Sequence, residues 1–381
     1  MKKFKKVLRE LLIPIIVGIV FGLAFAVFRS IFVTTSEEAV GAYGGTHTLF
    51  NMLLRLAMWL VVMAVGVYIH IIIHEAGRLI AGKLSGYEFV SFRVGSLVII
   101  REEGRLVRKR YALLGTVGQC LMSPPDVADT QYKYPFVFYN LGGGLANILF
   151  SILFFIMGLL TWGYISEILF VLALAGCFLG LMNIIPLKLS GMANDGFSII
   201  TCRKRIESRR ALWIQLKFAA LITQGVRPCD MPQEWVENID TPTDALTGFL
   251  PGLRYSYLLD KCEIEHASDY IKSVLENPGK MLELHKSELQ CELLFCELVT
   301  ECRADEIEKL YTEELRKHIK ASSTHVSKHR LMYAYELLYV KNEAEANEVL
   351  ETFEQTCLHT PFLGEVAGER ELVELVKRKA G

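Results

Sequence analysis

The sequence predicts a mainly α-helical, polytopic membrane protein with about four spans, a small β-hairpin loop and a cytoplasmic all-α domain. The first half of the chain holds apolar runs near the roughly 20 residues that a helix needs to cross a bilayer. The second half is polar and has helical periodicity. An apolar share of 52% suits a chain that is part membrane and part soluble, and a net charge of -1 gives no bulk attraction to nucleic acid.

The predicted spans are apolar runs at residues 11–33, 50–73, 136–162 and 165–185. Lysines precede the first run but no small-residue cleavage site follows it, so we expect a retained anchor and not a cleaved signal peptide. Basic residues also cluster between the second and third runs and after the fourth. Because positive residues concentrate on the cytoplasmic side, both termini are predicted to be cytoplasmic, in the cell membrane. The predicted domains are residues 1–33, the basic segment and first span; 34–202, the membrane core; 203–243, a cytoplasmic connector; and 244–381, a cytoplasmic helical domain.

The second run ends in an ionisable pair, His74 and Glu75, with Arg78 one helical turn further on. In the zinc-protease pattern H-E-x-x-H, two histidines one turn apart share a metal and the glutamate serves as general base for the metal-bound water. Arg78 stands where the second histidine belongs. A guanidinium offers no lone pair and does not deprotonate in proteins, so Arg78 cannot be a zinc ligand. Ionisable residues at this depth in a membrane indicate a functional site.

A second polar segment follows the fourth run, from Asn183 to Gly196. Its carboxylate, Asp195, returns to the predicted membrane level of His74. An Asp-Gly pair by itself is typical of a surface turn. Its pairing with a His-Glu dipeptide at the same depth favours a shared site.

These motifs resemble the site-2 protease family of intramembrane zinc metalloproteases over roughly residues 69–197. The matching segments are His74-Glu75-Ala76-Gly77, Gly142-Gly143-Gly144-Leu145-Ala146-Asn147, Asn183-x-x-Pro186 and Asp195-Gly196. The resemblance implies a zinc ion held by His74 and Asp195, with Glu75 activating water. It also implies that Asn147, Asn183, Pro186 and Gly196 position the substrate, a transmembrane or leader-peptide segment of another protein.

Arg78 leaves three interpretations open. His70, one turn before His74, could substitute as a ligand, but it would move the metal about 5 Å along the helix and away from Glu75 and Asp195. Arg78 could instead pair with Glu75 or Asp195 and replace the charge of the metal. It could also be a single-base change from histidine in an active protease. The two predicted functions are accordingly an intramembrane metalloprotease and a zinc-free pseudoprotease that binds membrane segments and scaffolds partners.

The loop at residues 86–110 alternates apolar and polar residues and predicts a small β-hairpin. An open strand edge could add an extended substrate segment as a further strand. The alternative is a self-contained hairpin without that role.

The helical domain carries loosely similar segments about 40 residues apart, beginning near Leu258, Leu293 and Leu337, which resemble tetratricopeptide-like helical hairpins. A plain helical bundle is the alternative. If the repeats are real, their concave face would bind a cytoplasmic protein partner. The nine cysteines are odd in number and form no C-x-x-C pair, which indicates free thiols in a reducing compartment.

Overall fold

The computed structural model describes residues 49–102, 104–111, 116–189, 192–237 and 239–381. The described chain is mostly helical with a small antiparallel sheet, as the sequence predicts. It divides into two compact units: the first contains residues up to Ala81 together with Phe136–Ile199, and the second contains Gly82–Pro135 and Ile200–Gly381. The predicted first span at residues 11–33 lies outside the described residues.

Three helices of the described chain are long and apolar enough to cross a membrane. They are α1 (Leu49–Leu84, with its apolar stretch at Ala57–Leu84), α2 (Phe136–Leu159) and α3 (Gly163–Ile184). The apolar run predicted at residues 50–73 lies within α1, which continues through the His-Glu pair to Leu84. Ala and Leu after the His-Glu pair favour helix despite Gly77 and Gly82, and the helix ends just before Gly86, whose positive φ is one that L side chains rarely adopt.

Glycines bring α1 and α2 into close contact. A Cβ added to Gly77 would collide with Ala146 and with the backbone of Gly142, and one added to Gly142 would collide with Ala81. Small residues at such a crossing let two helix backbones approach closely, which is how helices associate in lipid without a hydrophobic driving force. The Gly-rich segment of α2 thus sets the distance between α2 and α1, the helix that carries His74.

The second unit contains a four-stranded antiparallel sheet in the order β3-β2-β1-β4. Its strands are β1 (Glu88–Val94), β2 (Leu97–Glu102), β3 (Arg105–Arg110) and β4 (Gly118–Ser123). The predicted hairpin covers the first three strands, but β4 was not predicted. Its sequence Gly-Gln-Cys-Leu-Met-Ser has neither β-branched residues nor clear alternation, so β4 is a strand because it pairs with β1.

The remaining helices of the chain follow a short two-stranded ladder of β5 (Lys188–Leu189) and β6 (Met192–Ala193). The longer ones are α4 (Asp195–Lys204), α5 (Ile206–Thr223), α6 (Gln233–Val236), α7 (Leu250–Asp260), α8 (Ile264–Glu276), α9 (Glu283–Val299), α10 (Ala304–Leu310), α11 (Glu313–Ala321), α12 (Val326–Ala334), α13 (Glu343–His359) and α14 (Leu363–Ala380). A π-helical turn at Tyr335–Val340 follows α12. The similar segments noted in the sequence begin in α7, α9 and the π-helical turn, and the repeat stays a prediction.

A network of buried charges lies inside the helical part of the second unit. The Arg330 side chain is completely buried and donates to Glu292 and Glu369, both at 2.6 Å. Its guanidinium also lies 3.8 Å from the centre of the Phe295 ring. A charge in this position is stable only while its partners are present, because desolvating it costs several kcal/mol.

Glu365 in this network is predicted to make stability fall with rising pH. Burial and the nearby Glu369, Glu288 and Glu292 raise its pKa to about 8 from an ordinary 4.5, and Lys328 only partly opposes them. Between about pH 4.5 and 8 the folded chain therefore keeps a proton on Glu365 that the unfolded chain has lost. This group lowers stability progressively across that window.

Glu365→Gln imitates the protonated side chain and should therefore stabilise the protein by an amount that grows from pH 5 to 8 and disappears below about 4.5. Thermal unfolding across this pH range measures the difference. Glu313→Gln, at an exposed position on α11, is the control and should leave the change of stability with pH as it is in the unaltered chain. Equal slopes for Glu365→Gln and the unaltered chain would contradict the prediction.

Candidate functional site

The site begins on α1, which places His74, Glu75 and Arg78 within one helical turn. Residues 74 and 78 lie about 40° apart around the helix axis, so their side chains project from one face. His74 and Glu75 are 9% and 6% exposed. The helix therefore brings an imidazole, a carboxylate and a guanidinium together inside the first unit.

Asn194 holds the second half of the site in place. Its side-chain amide donates to the carbonyls of Met182 and Ile185 at the end of α3, at 2.6 Å each. Its Oδ1 accepts from the backbone N–H of Phe197 at 2.8 Å, which caps the start of α4. The oxygen also accepts from the N–H of Leu187 at 3.1 Å. Asn194 therefore ties the end of α3 to the start of α4, where Asp195 is the first residue.

Asp195 meets both His74 and Arg78. Its Oδ2 lies 3.3 Å from His74 Nε2, and its Oδ1 lies 3.5 Å from Arg78 Nη1. The Arg78 guanidinium also lies 4.7 Å from the centre of the Tyr139 ring, a cation–π contact. Burial opposes ionisation of Asp195, but the charge of Arg78 and the hydrogen bond from His74 together hold its pKa below the ordinary value. The position where a second histidine would stand is thus occupied by a cation paired with the carboxylate.

Two polar atoms beside this cluster are buried without a hydrogen-bond partner among the described residues. They are Nδ1 of His74 and Oε2 of Glu75. An unsatisfied buried polar atom costs about 1–3 kcal/mol, so a native protein usually keeps one where it has a role. Both atoms can accept a hydrogen bond from a ligand.

Gly143 of α2 packs directly against the ring of His74. A Cβ at this position would overlap the imidazole, so only glycine leaves room for it. In most helices a Gly-to-Ala change gains roughly 1 kcal/mol of helix propensity. At Gly143 the collision should outweigh that gain.

Gly143→Ala should destabilise the protein by about 2 kcal/mol, a typical result of overpacking a filled interior. Thermal unfolding in detergent measures this loss. Gly66→Ala is the matched control on α1, because its Cβ would meet only the flexible end of Leu172 at 3.1 Å and the Cβ of Ala175 at 3.7 Å. Adding His74→Ala to Gly143→Ala should recover stability, and a double variant no better than the single one would refute the collision.

His70, the substitute ligand considered from the sequence, is fully buried and contacts two other helices. Its Nδ1 lies 3.2 Å from the side-chain amide of Asn147, and its Nε2 donates to the carbonyl of Leu172 at 2.9 Å. With the amide nitrogen of Asn147 facing the ring, it donates to Nδ1, so that both ring nitrogens of His70 have a partner. These contacts use both ring nitrogens, and they favour a structural role for His70.

The other residues that the resemblance assigned to substrate have different surroundings. Asn147 is buried and faces His70, and the Asn183 amide donates to the carbonyl of Leu179 one turn earlier. Pro186 is exposed beyond the end of α3. A Cβ on Gly196 would collide with the carbonyl of Ile184, so this glycine lets α4 start close to the end of α3. Of these residues, Asn183 and Pro186 lie in the segment that Asn194 anchors.

The residues of the site do not fit zinc. His74 and Asp195 offer donor atoms, but Arg78 brings a positive charge to the same carboxylate and cannot donate a lone pair. Among the described residues, no group of three His, Cys, Asp or Glu side chains is arranged to hold a metal ion. The donor set is therefore incomplete on chemical grounds.

Asn194 and Tyr139 are not among the site residues that the sequence predicts. Asn194 could have been found as a helix cap, because it directly precedes an Asp-Gly pair that starts a helix. Tyr139 had no such signal, since its ring meets Arg78 only through the packing of α2 on α1.

We compared the chain with protein-family profiles, curated proteins and solved structures, and none of them matches it. The likeness to the site-2 protease family accordingly stays a prediction carried by the motifs.

Proposed function

We propose that this chain is an integral membrane protein of site-2 protease type that binds membrane segments without hydrolysing them. The observation that carries the proposal is the ion pair between Arg78 and Asp195, which puts a fixed cation where the family would place a zinc ligand. In this proposal the chain has four spans, lies in the cell membrane with both termini in the cytoplasm, and presents its helical domain to a cytoplasmic protein partner.

Arg78 supports folding of such a site without metal. Buried carboxylates lose ionisation unless a nearby cation compensates their charge. The guanidinium supplies that charge permanently, because it stays protonated in proteins. Its contact with the Tyr139 ring holds it in place at 4.7 Å. The site can thus keep Asp195 ionised without a metal ion.

The unpartnered atoms of His74 and Glu75 support a binding role. A transmembrane segment that is locally unwound exposes backbone N–H groups, which are costly to leave unsatisfied in a membrane. Nδ1 of His74 and Oε2 of Glu75 are acceptors that could satisfy two of them. The ligand class is therefore a transmembrane or leader-peptide segment with a helix-weakening sequence.

The test uses the full chain in proteoliposomes with a single-span polyleucine segment that carries a central Asn-Gly pair and a photo-crosslinker beside it. We expect crosslinks to α1 or α2 with the segment intact. An otherwise identical segment without Asn-Gly should crosslink less. Absence of any preferential crosslinking would refute the binding proposal.

The same assay distinguishes this binding protein from an active metalloprotease. Arg78→His restores the missing donor and should gain zinc-dependent cleavage of the segment, whereas Arg203→His, at an exposed position in α4, should not. Chelator-sensitive cleavage by the unaltered chain would establish the metalloprotease instead.

A further inference from the structure

Strands β2 and β3 of the second unit's sheet share a face that combines arginines with exposed aliphatic side chains. In the pairing of β2 with β3, Leu97 lies opposite Arg110, Ile99 opposite Arg108 and Arg101 opposite Leu106. Paired residues of antiparallel strands project to the same side, so all six share a face. We call it the outer face, and it consists of Leu97, Ile99, Arg101, Leu106, Arg108 and Arg110.

The opposite face of the same strands is the one that packs on the protein. Val98 and Ile100 form a core cluster with Tyr111, and Phe362 packs against it. Glu102 and Lys109 pair with each other at 2.5 Å on this inner side. Burial of the inner face therefore explains why buried and exposed residues alternate along β2 and β3. It does not explain the composition of the outer face.

The outer face is cationic. Arg101, Arg108 and Arg110 are all exposed, and none forms an ion pair with a described residue. No acidic side chain among the described residues of β2 and β3 lies on this face. Like charges placed on neighbouring strands without a counter-charge are destabilising unless a ligand neutralises them.

The outer face is also apolar. Leu106 is 65% exposed, and Leu97 and Ile99 are 37% and 36% exposed. A nucleic acid would satisfy the arginines but gains little from aliphatic side chains, whereas a bilayer interface offers anionic phosphates and an apolar layer side by side. In the chain, β1 starts at Glu88, only four residues after the candidate span α1 ends at Leu84, a connection of at most about 14 Å.

We propose that the outer face docks on the anionic phospholipid headgroups of the membrane that the chain spans. The arginines would contact phosphates, and the three aliphatic side chains would enter the headgroup layer. This inference rests on the proposed membrane location and is independent of what the His74 site binds. It assigns the sheet a role in orienting the second unit against the membrane surface.

The test is hydrogen exchange of the full chain in nanodiscs of phosphatidylcholine alone and of phosphatidylcholine with phosphatidylglycerol. Because each basic residue near an anionic surface favours binding about fivefold, three arginines together favour it about a hundredfold, and we expect amides of residues 97–110 to exchange at least about tenfold more slowly in the anionic nanodiscs. The difference should disappear at about 0.5 M salt, which screens the attraction.

A triple variant with Arg101, Arg108 and Arg110 each changed to Gln should lose the lipid-dependent protection. The matched control changes Lys309, Lys317 and Lys320 to Gln, removing the same charge from exposed positions on α10 and α11, and should keep it. Unchanged exchange in α5 would show that the triple variant is folded. If the variant does not fold, the measurement at about 0.5 M salt still tests the proposal on the unaltered chain. Equal exchange of residues 97–110 in both lipids would overturn the proposal, and a chain that fails to enter nanodiscs would instead refute the membrane location.

Discussion

Replacing Arg78 with methionine should destabilise the protein by about 3–5 kcal/mol, because the change leaves Asp195 as a buried charge without its cation. The side chains of Arg78 and Asp195 are 21% and 14% exposed, so water can replace the lost partner only in part. Methionine keeps most of the volume and apolar length of arginine, so the loss should report on charge and not on a cavity. For a chain of this size the apparent Tm in detergent should fall by roughly 10 °C.

A double-mutant cycle isolates the ion pair. Asp195→Asn alone leaves a buried guanidinium and should also destabilise the protein. Arg78→Met combined with Asp195→Asn removes both charges, so the loss in the double variant should be at least about 1 kcal/mol smaller than the sum of the two single losses. Strictly additive losses would mean that the two side chains do not interact, and the charge-replacement account would then be wrong.

Replacing Arg330 with methionine should cost about 4 kcal/mol of stability, because it leaves Glu292 and Glu369 buried beside each other without a cation. Arg330 is fully buried and each of its two contacts is 2.6 Å long. Chemical unfolding followed by the far-ultraviolet signal of the helices measures the loss.

Arg370 provides the matched control for Arg330. It pairs with Glu354 at 2.7 Å, but the two side chains are 50% and 49% exposed. An exposed ion pair contributes about 0–1 kcal/mol, so Arg370→Met should change stability little. Equal losses for the two variants would show that burial does not determine the effect at Arg330.

Much of the fold could be predicted from patterns within the sequence. The apolar runs predicted the three described helices that are long and apolar enough to cross a membrane, since both properties can be read from the sequence. Strand β4 escaped prediction because nothing in its own residues favours a strand and its pairing with β1 is made at long range. The predicted span stops at residue 73 while α1 continues to Leu84, because the polar residues after the apolar run are still helical.

Within the site, the motif spacing led us to expect His74 and Asp195 at one level, and the structure brings these two side chains to 3.3 Å. The sequence left open whether Arg78 would pair with Glu75 or Asp195, because both are within reach of its flexible side chain. The structure pairs it with Asp195 at 3.5 Å. The contact of Asn147 with His70 could not be predicted, since it depends on the rotation of α2 against α1.

The central claim is that Arg78 takes the place of a metal, and zinc content tests it most directly. The full chain and Arg78→His would be purified in detergent, exposed to zinc, washed, and measured by elemental mass spectrometry. We predict little zinc in the unaltered chain and about one ion per chain in Arg78→His, where His74, Asp195 and the new histidine complete a three-ligand site. About one zinc per chain in the unaltered protein would contradict the account.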